Sequence, residues 1–149
     1  MKNIIIACSV VGVVLAGCGN HVSESKLPSV VVNTVKSKYT SSDKIEWEKR
    51  SNGYEAEVKS GTNETNVLVD ASGNIVMQKQ EISKDSLPVA ITDVINISYK
   101  DYTIDEVDRI EKAGVIYYQV ELDGKGSPKD LELVFDSNGK PAAGIDYWK

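Results

Sequence analysis

The sequence predicts an α+β fold of two tandem units, each one helix packed on a four-stranded antiparallel meander. Three observations predict it. An apolar segment that opens Leu27-Pro28 and closes at Tyr39 recurs as Leu87-Pro88 to Tyr99. The stretches after each copy alternate apolar and polar residues with the period of a half-buried strand. A turn of the form Asp-x-x-Gly recurs late in each copy, as Asp70-Ala71-Ser72-Gly73 and Asp136-Ser137-Asn138-Gly139. Ordered recurrence of this kind marks a repeated supersecondary unit.

The chain opens differently. Met1-Lys2-Asn3 is a short cationic start, and Ile4 to Leu15 is almost wholly apolar. A helix that spans a bilayer needs about 20 apolar residues. This run is shorter, and polar Gly19-Asn20-His21 follows at once. Charged start and short apolar run are the layout of a secretory signal. Leu15-Ala16-Gly17-Cys18 resembles the lipobox of bacterial lipoproteins. The resemblance implies a signal peptide over residues 1–17, cleavage between Gly17 and Cys18, and lipid on the Cys18 thiol. Several acyl chains anchor a protein stably where one does not. The residue after Cys18 is Gly19 rather than Asp, which by the same resemblance implies the outer membrane, facing the periplasm or the surface. Residues 18–26 are small and polar and read as a flexible tether.

Residues 27–82 read as the first unit and 83–149 as the second. Each opening segment predicts a helix with its proline in the first turn, where the missing N–H costs nothing. Apolar residues at 27, 31 and 35, with Thr34, or at 87, 91, 94, 95 and 98/99, fall on one helical face. Many are β-branched, so propensity is poor and packing has to hold these helices. The strands follow by alternation. Ile45, Trp47 and Lys49 oppose Glu46 and Glu48. Tyr54, Ala56 and Val58 oppose Glu55, Glu57 and Lys59. In the second copy Ile116, Tyr118, Val120 and Leu122 oppose Tyr117, Gln119, Glu121 and Asp123, and Leu131, Leu133 and Phe135 oppose Glu132 and Val134. Such alternation means one face buried and one wet. Hairpin chemistry separates the runs at Asn52-Gly53, Ser72-Gly73-Asn74, Asp123-Gly124 and Asn138-Gly139. The phase fails within Asp105–Ile110. The second copy is also longer, and Asp123–Pro128 is the expected place for its extra residues.

Charge and composition exclude several functions. The chain carries 17 Lys and Arg against 22 Asp and Glu, a net charge of −5. An acidic chain without a basic stripe is a poor ligand for nucleic acid, whose affinity rests on neutralised phosphates. Cleavage removes Lys2 and leaves it more acidic still, so lipid rather than electrostatics must hold it to a membrane. The two cysteines are Cys8, inside the signal, and Cys18. Nothing remains for a disulfide, a thiol nucleophile or a cysteine-ligated metal. The one histidine, His21, lies in the tether. Without histidine in the domain body, Ser-His and Cys-His arrangements have no base.

Two Leu-Pro helices ending in Tyr, each followed by alternating strands and an Asp-x-x-Gly hairpin, resemble the PepSY-like family. These are secreted or lipid-anchored bacterial proteins related in fold to beta-lactamase inhibitor proteins. The resemblance covers roughly residues 27–147. It implies an open sheet that presents a protein-binding surface, with no catalysis and no cofactor. The sequence departs from the family pattern at Thr40-Ser41-Ser42, where an acidic, proline-bearing turn is usual. It also lacks the disulfides of beta-lactamase inhibitors.

The remaining candidates weigh against ordinary alternatives. Asp136-Ser137-Asn138-Gly139 is similar to the start of a calcium loop, but glycine stands fourth instead of sixth, and a tight hairpin turn fits better. Asp101, Asp105, Glu106 and Asp108 form an acidic cluster that reads as a solvated strand edge rather than a cation site. Glu46, Glu48, Glu55 and Glu57 could form a carboxylate face, as a glycosidase needs, and equally an ordinary wet sheet face. No catalytic or metal-ligating residue is assigned. Four aromatics are candidate partner contacts, since Tyr and Trp are favoured at interface hot spots: Trp47, Tyr117, Tyr147 and Trp148. Trp47 shares a face with Ile45, which makes it a core candidate as well. The expected function is a membrane-anchored, non-catalytic envelope lipoprotein that binds or inhibits an envelope or secreted protein. The alternative is a structural or stress-related envelope lipoprotein without a dedicated ligand.

Overall fold

The computed structural model describes residues 20–126 and 129–149. The expected signal peptide and lipobox, Gly17 and Cys18 included, lie outside the described residues. Helix α1 (Ser29–Lys38) precedes strands β1 (Lys44–Arg50), β2 (Gly53–Ser60), β3 (Asn63–Val69) and β4 (Ile75–Glu81). Helix α2 (Val89–Ser98) precedes β5 (Tyr102–Lys112), β6 (Val115–Gly124) and β7 (Leu131–Asp136). The strands form one seven-stranded antiparallel sheet in chain order. The two copies therefore share a sheet: β4 pairs with β5, Met77 opposite Lys112 and Glu81 opposite Asp108.

The expected fourth strand of the second unit is absent, and this corrects the sequence reading. After the Asn138-Gly139 turn the chain makes a single bridge, Phe135 to Pro141. Proline has no N–H to give to the ladder. One further bond follows, Ala142 N–H to the Val134 carbonyl at 2.9 Å, and the chain then leaves the strand.

Both helices lie on the same face of the sheet. Beneath α1, Val31 and Val35 meet Trp47, Ala56, Val58, Val67 and Val69. Beneath α2, Ile91 and Ile95 meet Val107, Val120, Leu122 and Phe135. A fully buried aliphatic side chain contributes roughly 1.5–3 kcal/mol. That burial holds two ten-residue helices that would not stand alone in water. The prolines sit one residue earlier than expected, at the N-caps. The Pro28 carbonyl accepts from Val31 and Val32 N–H at 3.0 and 3.3 Å, and Pro88 serves Ile91 and Thr92 likewise.

The recurring Asp-x-x-Gly turn has a defined role. Asp70 Oδ1 accepts from the N–H groups of Ser72 and Asn74, and Asp136 Oδ1 from those of Asn138 and Lys140. Hydrogen bonds from Asn74 hold the Asp70 carboxyl below its ordinary pKa. The turn glycines are left-handed, φ +87° at Gly73 and +79° at Gly139. Each lies against its helix: a Cβ would come 2.6 Å from Val30 Cγ2 at Gly73 and 2.6 Å from the Ala90 carbonyl oxygen at Gly139. The turn thus docks the helix as well as reversing the chain.

The failed phase in β5 has a physical cause. Its register with β6 shifts between Ile104 and Glu106, so Asp105 is an extra residue in a bulge. Ile104 and Val107 both reach the α2 side, although three residues apart. The extra length of the second copy is shared: β5 and β6 run 11 and 10 residues against 7 and 8 in β1 and β2.

The segment read as a tether is ordered against the sheet from Asn20 onward. His21 bridges Glu48, Val22 N–H donates to the Trp47 carbonyl, and Lys49 N–H to that of Asn20. Glu24–Lys26 then forms a 3-10 turn.

Candidate functional site

The face opposite the helices carries the alternate residues of every strand. At the β1–β2 end these are Glu46 opposite Glu57 and Glu48 opposite Glu55. The suspected carboxylate face therefore exists, but cations thread it. Lys44 reaches Glu46 at 2.8 Å, Lys59 reaches Glu57 at 2.6 Å, and Arg50 reaches Glu48 at 3.1 Å and Glu55 at 2.6 Å. The Lys44 ammonium, hydrogen-bonded to Glu46, holds that carboxyl below its ordinary pKa. The four carboxylates are compensated charges along a sheet.

The centre of this face is not wet. Leu68 and Ile110, both at helix-free positions, are buried, and half-buried Met77 pairs with Leu68. From Gly144 the C-terminal segment lies beside Leu68 and Met77, and Trp148 is 9% exposed. Three polar strand residues beneath it are buried as well: Glu55 at 4%, Asp108 at 3% and Gln119 at 0%. Buried polar groups need partners, and these have them. The Gln119 amide holds the Trp148 main chain at both ends: its oxygen accepts the Trp148 N–H, and its Nε2 donates to the Trp148 carbonyl at 3.1 Å. The same Nε2 donates to Asp108 at 3.2 Å. The indole N–H donates to Glu55 at 3.2 Å, and Glu55 also accepts from Arg50 and Asn66, at 2.6 and 2.8 Å. Lys79 Nζ donates to the Trp148 carbonyl at 3.1 Å and lies 5.9 Å from its ring centroid, within cation–π range.

Burial raises the Asp108 pKa, against the opposing pull of Lys79 3.7 Å away. Burial likewise raises Glu106, with Asp108 and Glu81 adding repulsion. Tyr147 is pushed well above its ordinary value by burial and the nearby carboxylates. A cavity of about 480 Å³ opens beside this seat on the same face. Its lining includes Asn66, Lys79, Glu81, Glu106 and Asp108.

The four aromatic candidates divide. Trp47 lies at 3% exposure under α1, its indole N–H without a hydrogen-bond partner, so it cannot meet a partner from outside. The alternation that put it beside Ile45 already pointed there. Tyr117 is half-buried on the helix-free face, opposite Ile110 and Asp136. Tyr147 and Trp148 lie on that face in the C-terminal segment, beyond the last strand. His21 Nε2 is 3.8 Å from Glu48 and largely exposed. Among the described residues no three His, Cys, Asp or Glu side chains converge as a metal would require. The acidic cluster is split: Asp101 and Asp105 are exposed, whereas Asp108 belongs to the buried network. Sequence reasoning missed Gln119, Lys79 and Asp108 as members of one site.

The family model described as beta-lactamase-inhibitor-like, PepSY-like matches the sequence twice, over residues 16–77 and 62–141. The chain belongs to this family. The two PepSY-like matches overlap only across β3 and β4, the region through which the two copies join. Solved structures share the fold. A DUF2874 family protein from Bacteroides uniformis has a TM-score of 0.70 at 20% identity, covering 76% of this chain and 85% of that one. A BLIP-like protein from Bacteroides fragilis has a TM-score of 0.64 at 23% identity, with 78% and 83% covered. A protein from Bacteroides eggerthii, provisionally described as periplasmic, has a TM-score of 0.70 at 16% identity, with 77% and 85% covered. Among curated proteins none matches the chain. No helix among the described residues is long and apolar enough to cross a membrane.

Proposed function

We propose that this PepSY-like protein is a lipid-anchored, non-catalytic envelope protein whose helix-free sheet face binds a protein partner. One observation carries the reading. That face holds buried, pre-positioned donors and acceptors, and they grip an extended segment of polypeptide by its main chain and its indole. Fixed groups aimed at peptide atoms suit recognition. Glu55, already accepting from three donors, is poorly placed to take a proton from a substrate. Lipid on Cys18 supplies the address. The name of the Bacteroides fragilis neighbour, BLIP-like, carried over to this chain, makes an envelope enzyme the class of partner to look for.

The test uses the mature chain from Gly19, tagged, to capture proteins from solubilised envelope, with Tyr117→Ala beside it. One protein enriched by the wild type and reduced at least tenfold by the variant supports the reading. Equal capture by both, or none, turns the weight to a structural lipoprotein. In cells, Cys18→Ala is expected to release the protein from the membrane without changing its melting. A membrane-bound, acylated variant contradicts the anchor.

A further inference from the structure

The seat under Trp148 is built almost wholly from the strands, and the C-terminal segment is held in it at Trp148 by side chains rather than by a strand ladder. Past Ala142, the described main-chain hydrogen bonds of the segment run to two side chains, those of Gln119 and Lys79. No ladder holds it. At its end Lys149 makes one exposed ion pair with Glu132. The strand residues, by contrast, come from β2, β4, β5 and β6 and are fixed by sheet register.

Every polar contact that the seat makes uses an atom that any tryptophan in any extended peptide also has. Gln119 takes a main-chain N–H and a carbonyl. Lys79 takes the carbonyl and the ring face. Glu55 takes the indole N–H. Beside the seat, the cavity of about 480 Å³ shares Lys79 and Asp108 with it and is not filled by the terminus. Glu64, Glu81 and Glu106 also line this cavity; Lys59 lies 3.5 Å from Glu64, and the other three carboxyl groups, with Asp108 among them, face the one Lys79 ammonium. A basic side chain next to the tryptophan would complement them.

We propose that this seat is a binding site for an extended polypeptide segment carrying a tryptophan flanked by basic side chains, and that the chain's own segment 143–149 occupies it as an exchangeable internal ligand. The proposal rests on the reading of the helix-free face as a binding surface and adds the chemistry of what binds. A partner segment displaces Tyr147-Trp148, takes the same main-chain and indole contacts, and extends into the acidic cavity. A tethered occupant lowers the apparent affinity of any competitor by the fraction of time that the seat is empty.

The probe is a synthetic peptide of residues 143–149, Ala-Gly-Ile-Asp-Tyr-Trp-Lys, titrated by calorimetry into the full mature chain. With Trp148→Ala in the protein, the peptide is expected to bind saturably and at least tenfold tighter than to the wild type. Gln119→Leu added to that variant, or alanine for tryptophan in the peptide, is expected to abolish binding. A folded Trp148→Ala protein that binds nothing overturns the proposal. So does equal binding to wild type and variant, or equal binding of the alanine peptide. A second version needs no core substitution: a protease site between Ala143 and Gly144, cut after folding. Release of the hexapeptide on dilution and its rebinding on addition support exchange; release without rebinding overturns it. Peptide binding with no captured envelope protein leaves this inference standing and removes the proposed function. Capture that persists undiminished in the presence of saturating peptide does the reverse.

Discussion

Replacing Glu55 by alanine removes the acceptor shared by three donors. Arg50, with its side chain 39% exposed, re-solvates and loses little. Asn66 Nδ2 and the buried Trp148 Nε1 do not have that escape. A buried donor without a partner costs about 1–3 kcal/mol, so the expected loss is about 3 kcal/mol. For a domain of this size that lowers Tm by roughly 10 °C. Trp148→Phe keeps an aromatic ring in the seat but deletes the indole N–H, at an expected cost of about 1–2 kcal/mol. The two changes should not add, because each removes one end of the same hydrogen bond. At 3.2 Å that bond is at the long end of the range, so the coupling is set at about 1 kcal/mol. Urea denaturation of wild type, both single variants and the double variant at neutral pH closes the cycle, followed by circular dichroism so that lost tryptophan signal does not interfere. Additivity within about 0.3 kcal/mol would mean that Trp148 and Glu55 are not bonded in solution, and that the seat is not as described.

Three other perturbations test the frame. Ile91 is fully buried on the sheet-facing side of α2, and Ile91→Ala should cost about 2–5 kcal/mol; a denaturation midpoint unchanged from wild type contradicts the helix docking. Both turn glycines carry left-handed strain of about 1 kcal/mol or more when replaced by alanine. Gly139→Ala should cost more than Gly73→Ala, because it meets a helix carbonyl where Gly73 meets a movable valine methyl; the reverse order of midpoints refutes the packing argument. The raised pKa of Asp108 makes a signed prediction: between its unfolded and folded values the native state holds more protons. The Asp108 contribution to stability therefore falls as pH rises through that window and is flat above it. Asp108→Asn lacks this fall, so the variant should gain on wild type as pH rises from the ordinary carboxylate range toward neutrality; a constant difference in denaturation free energy over that rise rules the account out.

Most of the frame was legible because alternation and recurrence are local signals. Trp47 read as core through Ile45, and Gly73 and Gly139 read as turns through their aspartates. The fourth strand failed because Asn138-Gly139 announces a hairpin, whereas Pro141 two residues later withholds the donor that would extend it. The seat was hidden for a different reason. Glu55, Asp108 and Gln119 stand at wet-face positions, and their burial comes from Trp148, 93 residues from Glu55 along the chain. Periodicity reports which face a residue takes, never what returns to cover that face. A signal was present nonetheless. Val67-Leu68-Val69 runs apolar without alternation, and Ile110 breaks the phase of β5; each puts an apolar side chain on the supposedly wet side.

The two borders of the sheet have a consequence for how anything can join it. An unpaired border strand invites another chain to add itself as a further strand, which is a common route both to peptide recognition and to aggregation. Here Asn20–Val22 lies along part of β1, whose remaining length carries Lys44 and Glu46, and Pro141-Ala142 lies along Val134 and Phe135 near the end of β7. Both borders are blunted by the chain itself. Two copies meeting rim to rim therefore have little backbone to zip together, and whatever joins the sheet must be met by side chains from above it rather than by the ladder at its rim.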